Sequence, residues 1–344
     1  MHHVFLDANS YLGFYSLGRG DIDELTKLAE LVELSRIVLL LPTQVVDEVR
    51  RNRSRVVAER LRPLQEARLQ VSVPQMALGD PTANALKKCV AETQRVHSRL
   101  LDELRQSARE RTMPADILIE RLFLSASVLV DSQAVEKATR RKALGNPPGK
   151  GGLLGDGVNW EVLLARAPAN DDLCFVSADG DFSSPLDPTV MDEYLVAEWT
   201  QRKQADIQYF RDIKQLLDDK FPQIRLASDV RKYFLIDALI QSSSFAESHD
   251  LVAQLLHYDS FNQEEALRLL SGGLENNQVR WLAQDEDVVM LLSKVLSPHR
   301  GALPKSLVDR WDYLMAGRGY AYGGVPTDED LLRPPPEPVD DPLF

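Results

Sequence analysis

Short, unbroken runs of hydrophobic residues recur along the first two thirds of the chain. They cover residues 3–6, 37–41 and 173–176, and a segment with helical spacing or turn chemistry follows each run. Residues 207–209, Ile-Gln-Tyr, are predicted to form a further short strand before the helix at 211–221. Runs that do not alternate with polar residues are typical of strands covered by helices on both faces of a parallel sheet. The pattern therefore predicts an α/β fold with a central parallel sheet.

Helical spacing fills most of the remaining chain. It predicts helices over residues 21–35, 191–203 and 211–221, and one that Thr43 caps. Residues 81–144 are helical in pattern almost throughout, with Leu86, Val90, Leu100, Leu101 and Leu104 on one stripe, and we interpret them as a helical insertion. These patterns predict an α/β domain over residues 1–228, a helical C-terminal module over 229–325, and a Pro-rich acidic tail over 326–344 that is disordered.

Composition indicates an ordinary globular protein, with 344 residues of which 44% are hydrophobic and 27% charged. Its two cysteines do not form a disulfide framework or a zinc motif. No hydrophobic run approaches the length of a membrane span, and the chain begins without a signal peptide, so we expect a cytoplasmic protein with no membrane partner.

Charge is unevenly spread along the chain. The net charge is −12, but residues 1–150 carry 23 Lys and Arg against 19 Asp and Glu, a net +4, whereas the rest carries 17 against 33, a net −16. A polyanion responds to the local charge over roughly 8–10 Å, not to the total. The overall acidity therefore does not exclude a nucleic-acid partner for the first half.

Acidic residues follow the predicted strands or begin the helices after them. The candidates are Asp7, Glu48, Asp156, Asp179 and Asp181. Ligands of open parallel sheets bind at the carboxyl ends of the strands, so we expect these side chains to converge. Converging carboxylates repel by about 4 kcal/mol per pair at 4 Å, and a divalent cation relieves this. Oxygen ligands favour one or two Mg²⁺ or Mn²⁺ ions, which suit phosphodiester hydrolysis.

Each acid also has a structural alternative. Asp7 can serve only as a helix cap, Asp47 competes with Glu48, and Asp156 can simply favour the positive end of a helix. Asp179 and Asp181 fit an ordinary Asp-Gly turn. We expect supporting rather than ligand roles for three nearby polar residues, Asn9, Ser10 and Ser177.

Other chemistries are poorly supported by the sequence. The Gly-rich loop over residues 145–152 is one residue short of a phosphate-binding P-loop, and Gly151 stands where Ser or Thr is needed. No Ser or Cys has the sequence context of a catalytic triad. Asn9 occupies the position where a phosphatase with an aspartyl nucleophile at Asp7 would need a second Asp.

The motifs around these acids resemble those of PIN-domain nucleases, and in particular a bacterial PIN-like subgroup with a helical C-terminal extension. The similarity covers about residues 1–221. It rests on Asp7-x-Asn9-Ser10, Pro42-Thr43-x-x-x-x-Glu48, Gly155-Asp156-x-x-x-Trp160-Glu161, Ser177-x-Asp179-x-Asp181-Phe182 and Glu198-Trp199. Ser177 departs from the commoner Thr.

This resemblance implies a Rossmann-like α/β/α sandwich and metal-dependent endonuclease activity, usually on RNA. It also implies that Asp7, Glu48, Asp156 and Asp179 are the catalytic, metal-binding acids and that Asp181 is an accessory metal ligand. Glu161 lies about 140° around its helix from Asp156, so we place it outside the acidic group. The long 81–144 stretch separates the chain from compact toxin members of the family.

Partners follow from the charge pattern. A nucleic acid, single-stranded or structured RNA, is expected to contact the basic residues Arg50, Arg51, Arg53, Arg55 and Lys150. The acidic helical module over 229–325 is expected to bind a protein partner or a second copy of the chain. The alternative to a metal-dependent endoribonuclease is a catalytically silent PIN-like scaffold with a regulatory, protein-binding role.

Overall fold

A computed structural model describes residues 1–16, 19–77, 79–149 and 154–317 of the chain. The predicted tail over 326–344 and the last residues of the predicted module lie outside the described residues. Residues Met1–Ala227 form one compact unit, and a second begins at Ser228. None of the described helices is long and apolar enough to cross a lipid bilayer.

The first unit is built on a parallel sheet, as predicted. Among the described residues its strands are His2–Leu6 (β1), Ile37–Pro42 (β2), Ser127–Leu129 (β3), Leu173–Val176 (β4) and Ile207–Phe210 (β5). The order across the sheet is β3-β2-β1-β4-β5, and every neighbouring pair is parallel. This is the α/β sandwich expected of a Rossmann-like fold.

Helices alternate with these strands. The described helices of the first unit are Ala8–Gly13 (α1), Arg19–Glu33 (α2), Thr43–Glu66 (α3), Pro81–Glu110 (α4), Pro114–Ser125 (α5), Ala134–Ala143 (α6), Gly155–Arg166 (α7), Glu193–Lys203 (α8) and Ile213–Lys220 (α9). Short 3-10 turns cover Phe14–Ser16 and Gln75–Ala77. Val4, Phe5 and Leu6 of β1 are at most 1% exposed, because helices cover both faces of the sheet.

Two details of this unit differ from the sequence-based expectation. The 81–144 stretch is not helical throughout, because β3 lies within it and pairs with β2 at the edge of the sheet. Three residues are too few to give a periodic signal. Thr43 does not cap α3: Pro42 occupies the N-cap position, and no side chain bonds the first turn.

The apolar stripe on α4 is also less buried than its periodicity suggested. Leu86 and Leu100 are 45% and 43% exposed, and Leu101 is the buried residue of this helix. Two hydrogen bonds tie α4 to the end of α3 and the segment after it, from Gln94 to the Leu69 carbonyl and between His97 and the Leu64 carbonyl.

The second unit is helical in its described part. Its helices are Ala227–Ile240 (α10), Phe245–Leu256 (α11), Gln263–Glu275 (α12), Asn277–Trp281 (α13), Glu286–Leu296 (α14) and Lys305–Met315 (α15), with a 3-10 turn at Ser297–His299. Leucine and valine side chains from these helices form one core around Trp311, which is fully buried and donates to the Leu270 carbonyl at 2.9 Å.

Candidate metal centre

The sheet topology brings two acid-bearing strand ends together. The chain winds from β1 to β2 on one side and later places β4 on the other side of β1, so the strand order reverses between β1 and β4. Such a reversal opens a crevice at the carboxyl ends of the strands. The pairing continues beyond β1, because the Asp7 N–H donates to the Val176 carbonyl at 3.0 Å. Asp7 therefore lies beside the segment that follows β4.

Asp7 is a buried carboxylate with two different partners. Its Oδ1 accepts from the Ala8 N–H at 2.8 Å, so it does cap α1, while Oδ2 accepts from the Ser177 hydroxyl at 3.2 Å. The side chain is only 1% exposed. Burial, and then the charge of Glu48, raise the pKa of Asp7 to about 6. Asp7 therefore caps α1 and also lies close enough to Glu48 to interact with its charge.

The loop after β4 holds Asp179 in a fixed orientation. Ser177 Oγ accepts from the Asp179 N–H at 3.0 Å, and Asp179 Oδ1 accepts from the Asp181 N–H at 3.0 Å. The other oxygen of Asp179 accepts from Asn9 Nδ2 at 3.4 Å. Ser177 and Asn9 thus lie in supporting positions, whereas Ser10 is linked to Asp7 through its backbone N–H, 3.0 Å from the Asp7 carbonyl oxygen.

Glu48, rather than Asp47, faces the start of α7. Asp47 is exposed, whereas Glu48 is partly buried, and a Cβ built on Gly155 would come within 3.3 Å of Glu48 Oε2 and of Gln44 Nε2. The missing side chain of Gly155 therefore makes room for the Glu48 carboxylate beside the first turn of α7. Burial raises the pKa of Glu48, Arg51 opposes this rise, and Asp179 adds to it.

Asp156 lies in the first turn of α7 and interacts with the other acids. Burial is the largest cause that raises its pKa to about 7, followed by the negative charges of Asp7, Asp179, Glu48 and Asp181. A helix N-terminus by itself favours the ionised carboxylate and would lower the pKa. The surroundings of Asp156 therefore outweigh the helix dipole.

The acids are near neighbours, but they do not form a closed ligand cage. In residues 1–16, 19–77, 79–149 and 154–317, no three Asp, Glu, His or Cys side chains converge as a preassembled metal-binding group. The donors nevertheless fit a hard divalent cation, since all are carboxylate oxygens and no Cys or His stands among them. The raised pKa values of Asp7, Glu48 and Asp156 indicate that the folded chain disfavours this concentration of negative charge, which a cation would neutralise.

Several residues near the acids were not identified from the sequence. Tyr209 in β5 donates from its hydroxyl to the Ser177 carbonyl at 2.8 Å, and Arg211 donates to Tyr209 Oη at 3.1 Å and to the Ala178 carbonyl at 2.8 Å. They brace the loop that carries Asp179. The signal available was positional, since Tyr209 and Arg211 lie at the carboxyl end of the strand beside β4.

Two fully buried polar side chains close to the acids lack hydrogen-bond partners within the described part of the chain. Tyr11 follows Asp7 by one turn of α1, and burial and then the charge of Asp7 raise the pKa of its hydroxyl. Asn159 follows Asp156 by three residues on α7, and both polar atoms of its amide are unpaired. Buried polar groups of this kind usually bind water or a ligand atom.

The basic residues divide into exposed and structural ones. Arg50, Arg51 and Arg55 are exposed on α3, and Arg55 pairs with Glu59 at 3.0 Å. Arg53 is 7% exposed and binds Asp116 through two hydrogen bonds of 2.5 and 2.6 Å. These contacts weigh against the expectation that Arg53 binds nucleic acid, because its guanidinium is buried and already paired with Asp116. Lys150 lies outside the described residues.

A second buried arginine explains Glu161 and Trp160. Arg141 of α6 pairs with Glu161 at 2.8 Å and with Glu198 at 2.7 Å, and it donates to the Pro147 carbonyl at 2.6 Å. Trp160 is fully buried and donates from Nε1 to Glu198 at 2.8 Å. Glu161 thus belongs to an ion-pair network behind α7, which agrees with its placement outside the acidic group.

Comparison with known proteins gives one match. A family model described as PIN domain matches residues 4–182, just over half of the chain, and this range includes all five candidate acids. No curated protein matches the chain, and no solved structure does.

Proposed function

The chain belongs to the PIN domain family, whose members have a nuclease-type fold. We propose that it is a metal-dependent endonuclease that hydrolyses phosphodiester bonds of RNA. One observation carries this proposal: Asp7, Glu48 and Asp156 reach from three different elements and have raised pKa values, to which the charges of neighbouring acids contribute. Such a repulsive arrangement lowers the stability of the fold, so its presence favours a role in binding a cation.

Asp7, Glu48, Asp156 and Asp179 would hold Mg²⁺ or Mn²⁺, with Asp181 as an accessory ligand. When bound, one or two such ions supply activated water and stabilise the negative charge that develops on the phosphate. Ser177 fixes the orientation of Asp7, and Asn9 and the Asp181 N–H fix that of Asp179. The chain therefore orients its carboxylates through a surrounding layer of hydrogen bonds.

Arg51 is placed to bind RNA and to offset the negative charge of Glu48. It stabilises the ionised form of Glu48, and it is exposed on the same helix one turn further along. A phosphate backbone lying across the acids would meet Arg51 and the neighbouring exposed arginines Arg50 and Arg55. These side chains are the proposed RNA contacts on α3.

Incubation of the purified protein with single-stranded RNA, structured RNA and DNA, each with Mn²⁺ or with EDTA, tests this function. We expect RNA cleavage with Mn²⁺, none with EDTA, and none in Asp7→Asn or Asp156→Asn. Asp47→Asn is the matched control, because Asp47 is an exposed acid next to Glu48. Absence of cleavage in every condition, with no binding of Mn²⁺, would instead favour a catalytically silent scaffold.

The helical unit that begins at Ser228 is proposed to select a partner and to do no chemistry. Residues 228–344 carry 19 acids against 10 basic residues, and an acidic surface repels a phosphate backbone. A protein partner or a second copy of the chain is therefore a more reasonable ligand for this unit than RNA.

A further inference from the structure

A cavity of about 560 Å³ lies between α3, α5 and the 3-10 turn that follows α1. Its volume is within the range of about 300–1,000 Å³ that is usual for small-molecule sites. None of the five candidate acids lines it. Val49 and Arg50, which directly follow Glu48 on α3, form part of its wall.

Part of the lining of this cavity is an ion-paired cluster of Arg53, Asp116 and Tyr15. Asp116 accepts two hydrogen bonds from Arg53 and one from the Tyr15 hydroxyl at 2.6 Å. The Arg53 guanidinium also lies 5.5 Å from the centre of the Tyr15 ring. Because Asp116 is fully neutralised by these partners, it does not make the cavity repulsive to an anion.

The charged part of the lining is mixed in sign. It includes four arginines and two acids, Asp116 and the exposed Glu120. Arg121 is held by Glu30 and Glu33. Arg50 and Arg111 are exposed and have no carboxylate partner in the part of the chain that the structure describes. Two guanidinium groups without partners at the mouth of a cavity are suited to a phosphate group, which they bind through paired N–H donors.

The remaining wall is apolar and accessible. Ile117 is 54% exposed and Leu124 is 78% exposed, and both line the cavity with the half-buried Phe123. A free inorganic anion gains nothing from such a wall. A ligand that combines a phosphate with a flat apolar body, such as a nucleoside phosphate, matches both parts of the cavity.

Two relationships connect this cavity to the acids. Arg50 follows Glu48 by two residues on α3, about 3 Å along the axis but about 200° around it, so the two side chains leave the helix on different sides. Tyr11, one turn after Asp7 on α1, packs its ring 5.2 Å from that of Phe123 in the cavity wall. An RNA strand that occupied both the acids and the cavity would therefore pass around α3.

We propose that this cavity is a nucleotide-binding subsite in which Arg50 and Arg111 hold a phosphate and the apolar wall covers the attached nucleoside. The nucleoside phosphate is either one unit of an RNA strand, an assignment that rests on the proposed nuclease function, or a free nucleotide. Both sources present the same phosphate and nucleoside to the cavity. They differ because an RNA strand would also occupy the acids, whereas a free nucleotide would not.

Binding measured in EDTA separates the cavity from catalysis. The probes are a fluorescent single-stranded RNA of ten nucleotides, AMP and inorganic phosphate, each titrated into the full-length protein. Arg50→Ala and Arg111→Ala should each weaken the binding of the probes that occupy the cavity by about tenfold, the usual effect of removing a charged hydrogen-bond donor. Leu124→Asp, which places a negative charge on the apolar wall, should weaken the same binding.

Arg62→Ala is the matched control, since Arg62 is exposed on the same helix and lies about 18 Å from Arg50 along its axis. If the cavity variants weaken the binding of RNA alone, the ligand of the cavity is one unit of an RNA strand. If they also weaken the binding of AMP, the ligand is a free nucleotide. The proposal of a subsite is overturned if no probe binds, or if the cavity variants change the binding of every probe no more than Arg62→Ala does. If the wild type shows no Mn²⁺-dependent cleavage of RNA, the nuclease function is contradicted, even if AMP binds through Arg50 and Arg111.

Discussion

The hydroxyl of Ser177 donates to Asp7 Oδ2 at 3.2 Å and thereby joins the end of β1 to the loop after β4. Ser177 Oγ in turn accepts from the Asp179 N–H at 3.0 Å. One small side chain therefore sets the spacing between two of the candidate metal ligands. A Thr at this position would provide the same hydroxyl, which is why the departure from the commoner residue leaves the hydrogen-bonding pattern possible.

The first prediction concerns stability and pH. The folded state raises the pKa of Asp7 to about 6 and that of Asp156 to about 7, so it binds more protons than the unfolded chain above about pH 4. Their effect on the free energy of unfolding is therefore most favourable at low pH and is lost as pH rises towards 7. In EDTA at pH 8, Asp7→Asn should be more stable than the wild type by up to about 3 kcal/mol.

Thermal melts of the wild type, Asp7→Asn and Asp156→Asn at pH 4.5, 6 and 8 measure this effect. The variants should melt above the wild type at pH 8, and the difference should shrink at pH 4.5. Asp47→Asn, which removes an exposed charge, should follow the wild type at every pH. Equal melting of all four proteins at pH 8 would show that the acids do not repel one another in the fold.

The second prediction concerns the close approach of Glu48 to α7. In Gly155→Ala the new Cβ would lie 3.3 Å from Glu48 Oε2, so the carboxylate must shift by a few tenths of an ångström. We expect about tenfold weaker Mn²⁺ binding with little change in stability. Gly157→Ala is the control on the same turn, because its Cβ would meet Ala138 at an ordinary distance of 3.4 Å. Calorimetry measures the Mn²⁺ affinity of both variants. Equal affinities would show that Glu48 does not bind the metal.

The third prediction concerns the ion-pair network behind α7. Arg141→Ala would leave Glu161 and Glu198 partly buried without their shared cation, at a cost of about 3–5 kcal/mol. Arg141→Lys should be intermediate, since one ammonium does not reproduce two forked contacts. Urea denaturation measures the loss. The neighbouring exposed Arg140→Ala should change the free energy of unfolding by less than about 0.5 kcal/mol.

The fourth prediction separates two arginines of α3. Arg53→Ala should destabilise the protein by about 3–5 kcal/mol, because Asp116 loses its buried partner. Arg51→Ala should leave stability unchanged and reduce the salt dependence of single-stranded RNA binding by about 0.7 in the logarithmic slope. Denaturation and RNA titrations in EDTA at several salt concentrations give the two readouts. An unchanged slope in Arg51→Ala would remove this residue from the RNA interface.

The fifth prediction concerns the second unit. Truncation after Ala227 follows the division of the chain and keeps the buried Ile224 with the first unit. We expect the shortened protein to retain Mn²⁺-dependent cleavage but to lose substrate selectivity or self-association. Circular dichroism checks that it is folded, and gel filtration reports its association. The same selectivity and the same assembly as in the full chain would show that the second unit has no recognition role.

Local pattern was enough to predict the parallel sheet and the position of four of its strands. Strands such as β1 and β4 have uninterrupted hydrophobic sequences because they are buried on both faces. The candidate acids were predicted to converge for a related reason. Asp7 and Asp179 directly follow such strands, and parallel strand ends meet at one edge of the sheet whatever the rest of the chain does.

Only the tertiary structure decided which charged residues are available. Arg53 and Arg55 are equally basic in the sequence, yet Asp116, 63 residues further along, buries and neutralises one of them. Periodicity shows which residues share a helix face, but the partner that covers that face is set by distant segments. The edge position of β3 and the pairing of Arg141 with Glu161 and Glu198 depend on such long-range contacts for the same reason.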